Sequence, residues 1–235
     1  MQLRNFIRFL LQERIRSKTF DMNTFRDLIE DSPQQAVRYC HANLKFLGSG
    51  SSRHVFLLSS QKVLKVAYDQ YGDNIGSGIA QNEAEVDVYT NPLTKPIVAK
   101  IFDFDPDYLY IVSELVRAAT EADAKKLFGT RFFWPLLTRV LETGAHDDQI
   151  AEQIARHFHH LNVNPTSEQL GNLFNIIKTT LKLVNDNKLM HGDLTTKEHW
   201  GMTSDGRIVL LDYGFTRQVA RDHYNYSVDS KAKTK

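Results

Sequence analysis

The chain has 235 residues, 42% of them hydrophobic and 24% charged. That composition excludes disorder as the main state and is enough to bury a core in one large domain or two small lobes. Its 29 Lys and Arg against 28 Asp and Glu leave a formal net charge of +1, without the basic excess of a general nucleic-acid binder. Cys40 is the only cysteine, so an intrachain disulfide and a multi-cysteine metal site are excluded, and a reducing, cytoplasmic setting is expected. No run reaches the roughly 18 apolar residues that a transmembrane helix needs.

In residues 1–20, Leu3, Phe6, Ile7, Leu10, Leu11 and Ile15 recur at helical spacing among Arg4, Arg8, Arg14, Arg16 and Lys18. The segment lacks the apolar stretch and cleavage site of a secretory signal. Its pattern predicts a helix packed on the domain, with a membrane-surface or partner-binding helix as the alternative. Asn23 is placed to cap a helix over 24–30, and Ser32 followed by Pro33 opens another running to about Ala42. Residues 44–68 hold the β-rich runs LKFLG, HVFLLSS and QKVLKVAY, the last two joined by an SSQ turn. A helix is predicted over 79–90, then strands over 97–103 and 108–113 around the turn Asp105–Pro106–Asp107.

Beyond residue 117 the pattern is mostly helical up to Asn187. Asn164–Pro165–Thr166–Ser167 breaks it and starts a helix over 167–186, with Leu170, Phe174, Ile177, Leu181 and Val184 along one face. A strand over 208–211 follows the turn Ser204–Asp205–Gly206. The last 20 residues are polar, end in KAKTK and are expected to fray. The predicted organisation is a helical extension (1–43), a β-rich lobe (44–116) and a helical lobe (117–235). A cleft between two lobes is a natural ligand site.

Four segments carry chemistry. In Leu47-Gly48-Ser49-Gly50-Ser51-Ser52-Arg53-His54-Val55-Phe56, two glycines between strands let the backbone approach phosphate oxygens, although a Gly-Ser hairpin turn uses the same residues. In Val63-Leu64-Lys65-Val66-Ala67, an ammonium sits mid-strand among apolar residues, which is costly unless it meets an anion. Glu83, on the next helix, is a candidate partner, preferred to Glu85 because Glu-x-x-Val sets Val86 toward the core. Met190-His191-Gly192-Asp193-Leu194 follows the long helix. Ile208-Val209-Leu210-Leu211-Asp212-Tyr213-Gly214 ends a short apolar strand in a carboxylate suited to a hard cation.

The order of Gly-rich loop, strand Lys, helix Glu, His-x-Asp loop and Asp-x-Gly turn matches the signature set of protein kinases. Over roughly residues 44–216 the chain resembles the protein kinase-like superfamily, as a compact member. LGSGSSRHVF together with EHWG and LLDYGF resembles small kinase-like proteins of bacteriophages, and the His-Gly-Asp form is similar to that of aminoglycoside phosphotransferases. The resemblance implies an α+β bilobal kinase-like fold with a β-rich N-lobe and a truncated helical C-lobe. It also implies the cofactors ATP and Mg²⁺ or Mn²⁺, and a protein substrate or partner. Gly48, Ser49, Gly50 and Ser51 would arch over the phosphates, and Lys65, oriented by Glu83, would contact the α- and β-phosphates. Val55 and Val63 would cover the adenine, and Glu114, Leu115 and Val116 would form the hinge that meets it. Asp193 would be the catalytic base, and Asp212 would hold the metal.

Four departures qualify that pattern. Arg53 replaces the third glycine and could offer its guanidinium to a phosphate. Counting five from Asp193 selects Glu198 for the metal-binding Asn position, whereas counting back from Asp212 through the hairpin selects His199. Ligand chemistry favours Glu198 and hairpin spacing favours His199; His199 could instead act as a hydrogen-bond partner of Asp193. His-Gly-Asp lacks the Arg that pairs with a phosphorylated activation loop. Only 23 residues follow Asp212, too few for the helices that complete an ordinary kinase C-lobe. The expected activity is a minimal serine/threonine protein kinase. The alternatives are a partner-sequestering pseudokinase, or a kinase-fold enzyme that transfers AMP or phosphorylates a small molecule. His157, His159 and His160 fit a helix-end cluster better than a metal site, and Phe132, Phe133 and Trp134 are expected in the core.

Overall fold

The computed structural model describes residues 20–50, 52–68, 75–187 and 189–224, leaving out the side chains of Asn187 and Asp193. The predicted N-terminal helix over the first 19 residues, Ser51 and the KAKTK tail lie outside the described residues. The fold is α+β, as expected, with a five-stranded antiparallel sheet and a second sheet of three strands. The chain forms two compact units. One takes in the chain up to Glu83 together with Ile101–Leu115; the other comprises Ala84–Lys100 and the chain from Val116 on.

In the first unit, β1 (Lys45–Ser49), β2 (Arg53–Ser59), β3 (Lys62–Ala67), β4 (Ile101–Phe104) and β5 (Tyr110–Glu114) pair in the order β1-β2-β3-β5-β4. Side chains alternate across the sheet. Phe56, Leu64, Val66, Tyr110 and Val112 therefore share one face, which is covered by Phe25 and Ile29 of α1 (Met22–Asp31) and Ala36, Val37 and Cys40 of α2 (Pro33–Asn43). The cap of α1 is Asp21, two residues before the expected Asn23. Its carboxylate accepts from the backbone N–H groups of Asn23 at 3.3 Å and Thr24 at 2.9 Å, and an ionised acceptor suits a helix N-terminus. Ser32 ends α1 and caps α2, with Pro33 in the first turn. Burial pushes the Cys40 thiol up to about 12, so it stays an unreactive thiol.

The strand predicted over 97–103 is shorter. Lys95–Ile97 forms a 3₁₀ turn, and β4 begins at Ile101. Pro96 has no N–H to give to a ladder. The Asp105 turn forms as expected, its carboxylate accepting from the N–H groups of Asp107 and Leu109 at 3.0 and 3.2 Å.

On the helix-covered face, His41 Nε2 and His54 Nδ1 lie 3.2 Å apart, beside Phe46, Phe56 and Tyr68. One proton fits between the two rings and a second does not. Burial, and then the neighbouring His41, hold His54 below its ordinary value of 6.5. The folded unit therefore prefers the neutral ring. Its contribution to stability is full above about pH 6.5 and is lost as the pH falls through the lowered folded value. Urea unfolding at about pH 7.5 and about pH 5.5 should show a loss of stability in acid that His54→Phe reduces.

In the second unit, α4 (Glu121–Phe128), α5 (Phe133–Thr143), α6 (Asp147–Leu161) and α7 (Ser167–Asn187) pack around Phe133, Leu137, Ile150, Phe158, Leu173 and Ile177. A capping box between Thr120 and Asp123 starts α4, and Gly129, at φ 73°, ends it in the left-handed conformation. The buried face of α7 is centred on Leu173, Ile177 and Val184, and Leu170, expected on it, is exposed. A small antiparallel sheet of β6 (Arg117–Ala118), β7 (Trp200–Met202) and β8 (Ile208–Leu210) completes this core. Trp200 is fully buried, its ring edge-on to Phe133 at 5.6 Å. Among the described residues no helix is long and apolar enough to cross a membrane.

Candidate active site

The first unit carries the Gly-rich turn and Lys65. Gly50 N–H donates to the Arg53 carbonyl at 3.0 Å, closing the β1–β2 hairpin. A Cβ built on Gly48 or Gly50 would meet nothing within 4 Å, and neither glycine has positive φ. Nothing described within the fold demands glycine at either place. Lys65 is 9% exposed, between Val55 of β2 and Ile111 of β5. It lies on the sheet face opposite Leu64 and Val66, and it has a partner.

Helix α3 (Ile75–Thr90) is fastened beside this turn by polar side chains. Gln81 Nε2 donates to the hydroxyls of Ser52 at 2.9 Å and Ser77 at 3.2 Å. Asn82 Nδ2 donates to the Tyr108 carbonyl at 2.8 Å. Arg53, only 5% exposed, donates from Nη1 to Asn82 Oδ1 at 3.3 Å. That engagement ties β2 to α3. These side chains were missed in the sequence, where the polar run before Glu83 was the available signal.

Gly78 makes the closest approach of α3 to the sheet. A Cβ there would lie 2.3 Å from the Ser52 carbonyl oxygen and 2.9 Å from Ala67 Cβ. Backbone cannot yield as a side-chain tip can, so Gly78→Ala should destabilise the protein by about 1–3 kcal/mol in urea unfolding. Further along α3, Glu83 is exposed whereas Glu85 is 0% exposed and has a partner. Burial thus sets Glu85, and not the expected Glu83, toward the interior. The carboxylate turned inward is Glu85, next to buried Val86, and a buried charge persists only when satisfied.

The second unit carries the two aspartates. His191–Gly192–Asp193–Leu194–Thr195 forms one short helix, α8. Thr195 and Thr196 hydroxyls donate to the Gly192 carbonyl at 3.1 and 2.8 Å, and Trp200 Nε1 donates to the Leu194 carbonyl at 2.8 Å. Met190 N–H donates to the Phe215 carbonyl at 3.2 Å. The first three bonds brace the backbone around Asp193 within its own loop and against β7, and the last ties that loop to the segment after Asp212. Burial, and then the Arg217 charge, lower the basicity of His191.

Asp212 is half-buried just after β8. The preceding Leu211 N–H donates to the His199 carbonyl at 2.7 Å. His199 is half-buried with a partner, whereas Glu198 is exposed. Of the two residues counted for the metal-binding Asn position, His199 is thus the one bonded to the segment that carries Asp212. Among the described residues no group of three His, Cys, Asp or Glu side chains could hold a metal ion. Mg²⁺ bound with a nucleotide uses one or two carboxylates plus phosphates and water, and a lone Asp212 meets the lower of those demands. Val55 is half-buried and Val63 buried on the Lys65 face of the first sheet. Glu114, Leu115 and Val116 are half-buried, and Leu115 N–H donates to the Gln61 carbonyl at 2.9 Å.

No protein-family model matches the chain, and no curated protein matches it. Among solved structures it is similar to the streptomycin–ATP–APH(2")-IIa ternary complex and to the ADP-bound aminoglycoside phosphotransferase APH(2'')-Ib. Each is 15% identical, with a TM-score of 0.34 over 73% of this chain. It is also similar to the choline kinase LicA from Streptococcus pneumoniae, at 13% identity and a TM-score of 0.35, covering 78% of this chain and 69% of that one. The chain spans 65% of the length of the first two. At TM-scores of this size the similarity carries no weight of its own, and the reading below rests on this chain's residues.

Proposed function

We propose that the chain is a kinase-like phosphotransferase that moves the γ-phosphoryl group of ATP to a hydroxyl of a protein. The observation that carries this reading is in the first unit. A buried ammonium, Lys65, stands beside a hairpin whose two glycines answer to no packing or backbone demand within the described fold. An external polyphosphate accounts for the two glycines, because backbone N–H groups of the hairpin can approach its oxygens, and Lys65, which also has a partner within the chain, adds positive charge there.

In this mechanism Glu85 takes the place the resemblance gave to Glu83, as the buried acid of α3. Asp193 accepts the proton of the attacking hydroxyl as its oxygen bonds to the γ-phosphorus and the bond to the β-phosphate oxygen breaks, leaving ADP. Asp212 would hold Mg²⁺, which when bound offsets charge on the transferring phosphate. His199 takes the Asn position, holding the backbone ahead of Asp212 through its carbonyl; its imidazole is a poor ligand for Mg²⁺.

Incubation with ATP labelled at the γ- or the α-phosphate, a bacterial cell extract and Mg²⁺ or Mn²⁺ tests the reading. Label passing to protein from the γ-position, and lost in Asp193→Ala, is the expected result. Passage to small molecules only would move the substrate class. Label from the α-position would mean AMP transfer, and nucleotide binding without any transfer would leave a partner-binding pseudokinase.

A further inference from the structure

The histidines of α6 do not form one cluster. His159 faces a groove with Ile154, Phe158 and Leu170, whereas His157 and His160 line a separate cavity of about 310 Å³ with Arg139 of α5. The walls of that cavity are apolar, from Phe132, Leu136 and Leu161, and no carboxylate lines it. His157 is 9% exposed, and Thr130 holds its Nε2 at 2.9 Å. Thr130 is itself fixed by the Phe132 N–H at 3.1 Å. Arg139 and His160 are exposed at the rim. Burial first, then the charges of Arg139 and His160, keep His157 below its ordinary value. Arg139 comes from the facing helix and His160 from its own, and Arg131 stacks on the Phe132 ring at the same cavity.

A guanidinium and two imidazoles around an apolar recess that no carboxylate lines favour an anion placed among them. We propose that the cavity between α5 and α6 binds a small oxyanion, a carboxylate or a phosphate ester, carried on a flat apolar body. The guanidinium of Arg139 supplies the permanent charge and a two-pronged donor. His160 and His157 add charge when protonated, and the Phe132, Leu136 and Leu161 surfaces receive the body. This site is independent of the nucleotide roles proposed above and uses none of the same residues.

Calorimetric titration of the full chain with phenyl phosphate, benzoate and the neutral benzyl alcohol, at about pH 6 and about pH 8, tests the proposal. At least one anion should bind, more tightly at the lower pH, and benzyl alcohol should not. Binding of phenyl phosphate alone supports a phosphate ester, of benzoate alone a carboxylate, and of both a general oxyanion site. Arg139→Gln and His160→Gln, both at exposed positions, should each weaken binding, the former by about tenfold or more, while ATP affinity stays unchanged. The histidine ring resonances of His157 should titrate at higher pH with the anion present. The proposal is overturned if neither anion binds at the lower pH, if benzyl alcohol binds equally well, or if both substitutions leave anion affinity unchanged.

Discussion

Asp212→Asn should lower γ-phosphoryl transfer by about a hundredfold or more while leaving the urea midpoint close to that of the parent protein. Removing one preorganised charge-stabilising group from an active site costs on the order of 10²–10³ in rate. The fold should tolerate the change. Asn has nearly the shape of Asp, the side chain is half-buried rather than enclosed, and the neighbouring bond from Leu211 N–H to the His199 carbonyl is made by backbone. Glu198→Gln is the matched control. Its side chain is exposed, so rate should change little. If Glu198→Gln instead matched Asp212→Asn, the metal-binding position would belong to Glu198 and not to the residue beside it.

Trp200→Ala should destabilise the protein by about 3–5 kcal/mol, the usual cost of emptying a large aromatic site. Trp200 is fully buried against Phe133, and its indole N–H satisfies the Leu194 carbonyl one residue after Asp193. The more informative substitution is Trp200→Phe, which keeps most of the volume and removes the donor. It should cost about 1–3 kcal/mol through the carbonyl left unpaired. It should also lower kcat more than KM, since the loop around Asp193 loses a support while the residues proposed to bind the nucleotide are untouched. Equilibrium unfolding and steady-state kinetics on the two variants separate these effects.

What the sequence disclosed and what it hid have physical reasons. The sheet was legible because HVFLLSS and KVLKVA are short β-rich runs joined by a turn, and the side chains divide between faces as a two-residue period requires. The break at Ser32–Pro33 was legible because cap chemistry is local. Asp21 was not chosen as a cap, since Asn23 is also a good one and only geometry shows which side chain reaches the free N–H groups. Glu83 and Glu85 differ by two positions on one helix, and a sequence rule based on Val86 alone could not fix the rotation of α3. That rotation depends on Gly78 meeting the Ser52 backbone and on Gln81 and Asn82 finding partners far along the chain. The backbone bond from Leu211 to His199 was likewise beyond any count along the chain.

Titration of Mg²⁺-ATP into the parent protein and into Lys65→Met tests the central claim most directly. Methionine keeps the stem of the buried side chain and removes the ammonium, its charge and its N–H donors together, and urea unfolding verifies that the sheet is retained. The account predicts saturable ATP binding by the parent protein and an affinity at least about tenfold lower in Lys65→Met. Equal affinity in the two proteins, or no ATP binding by the folded parent protein, would contradict it.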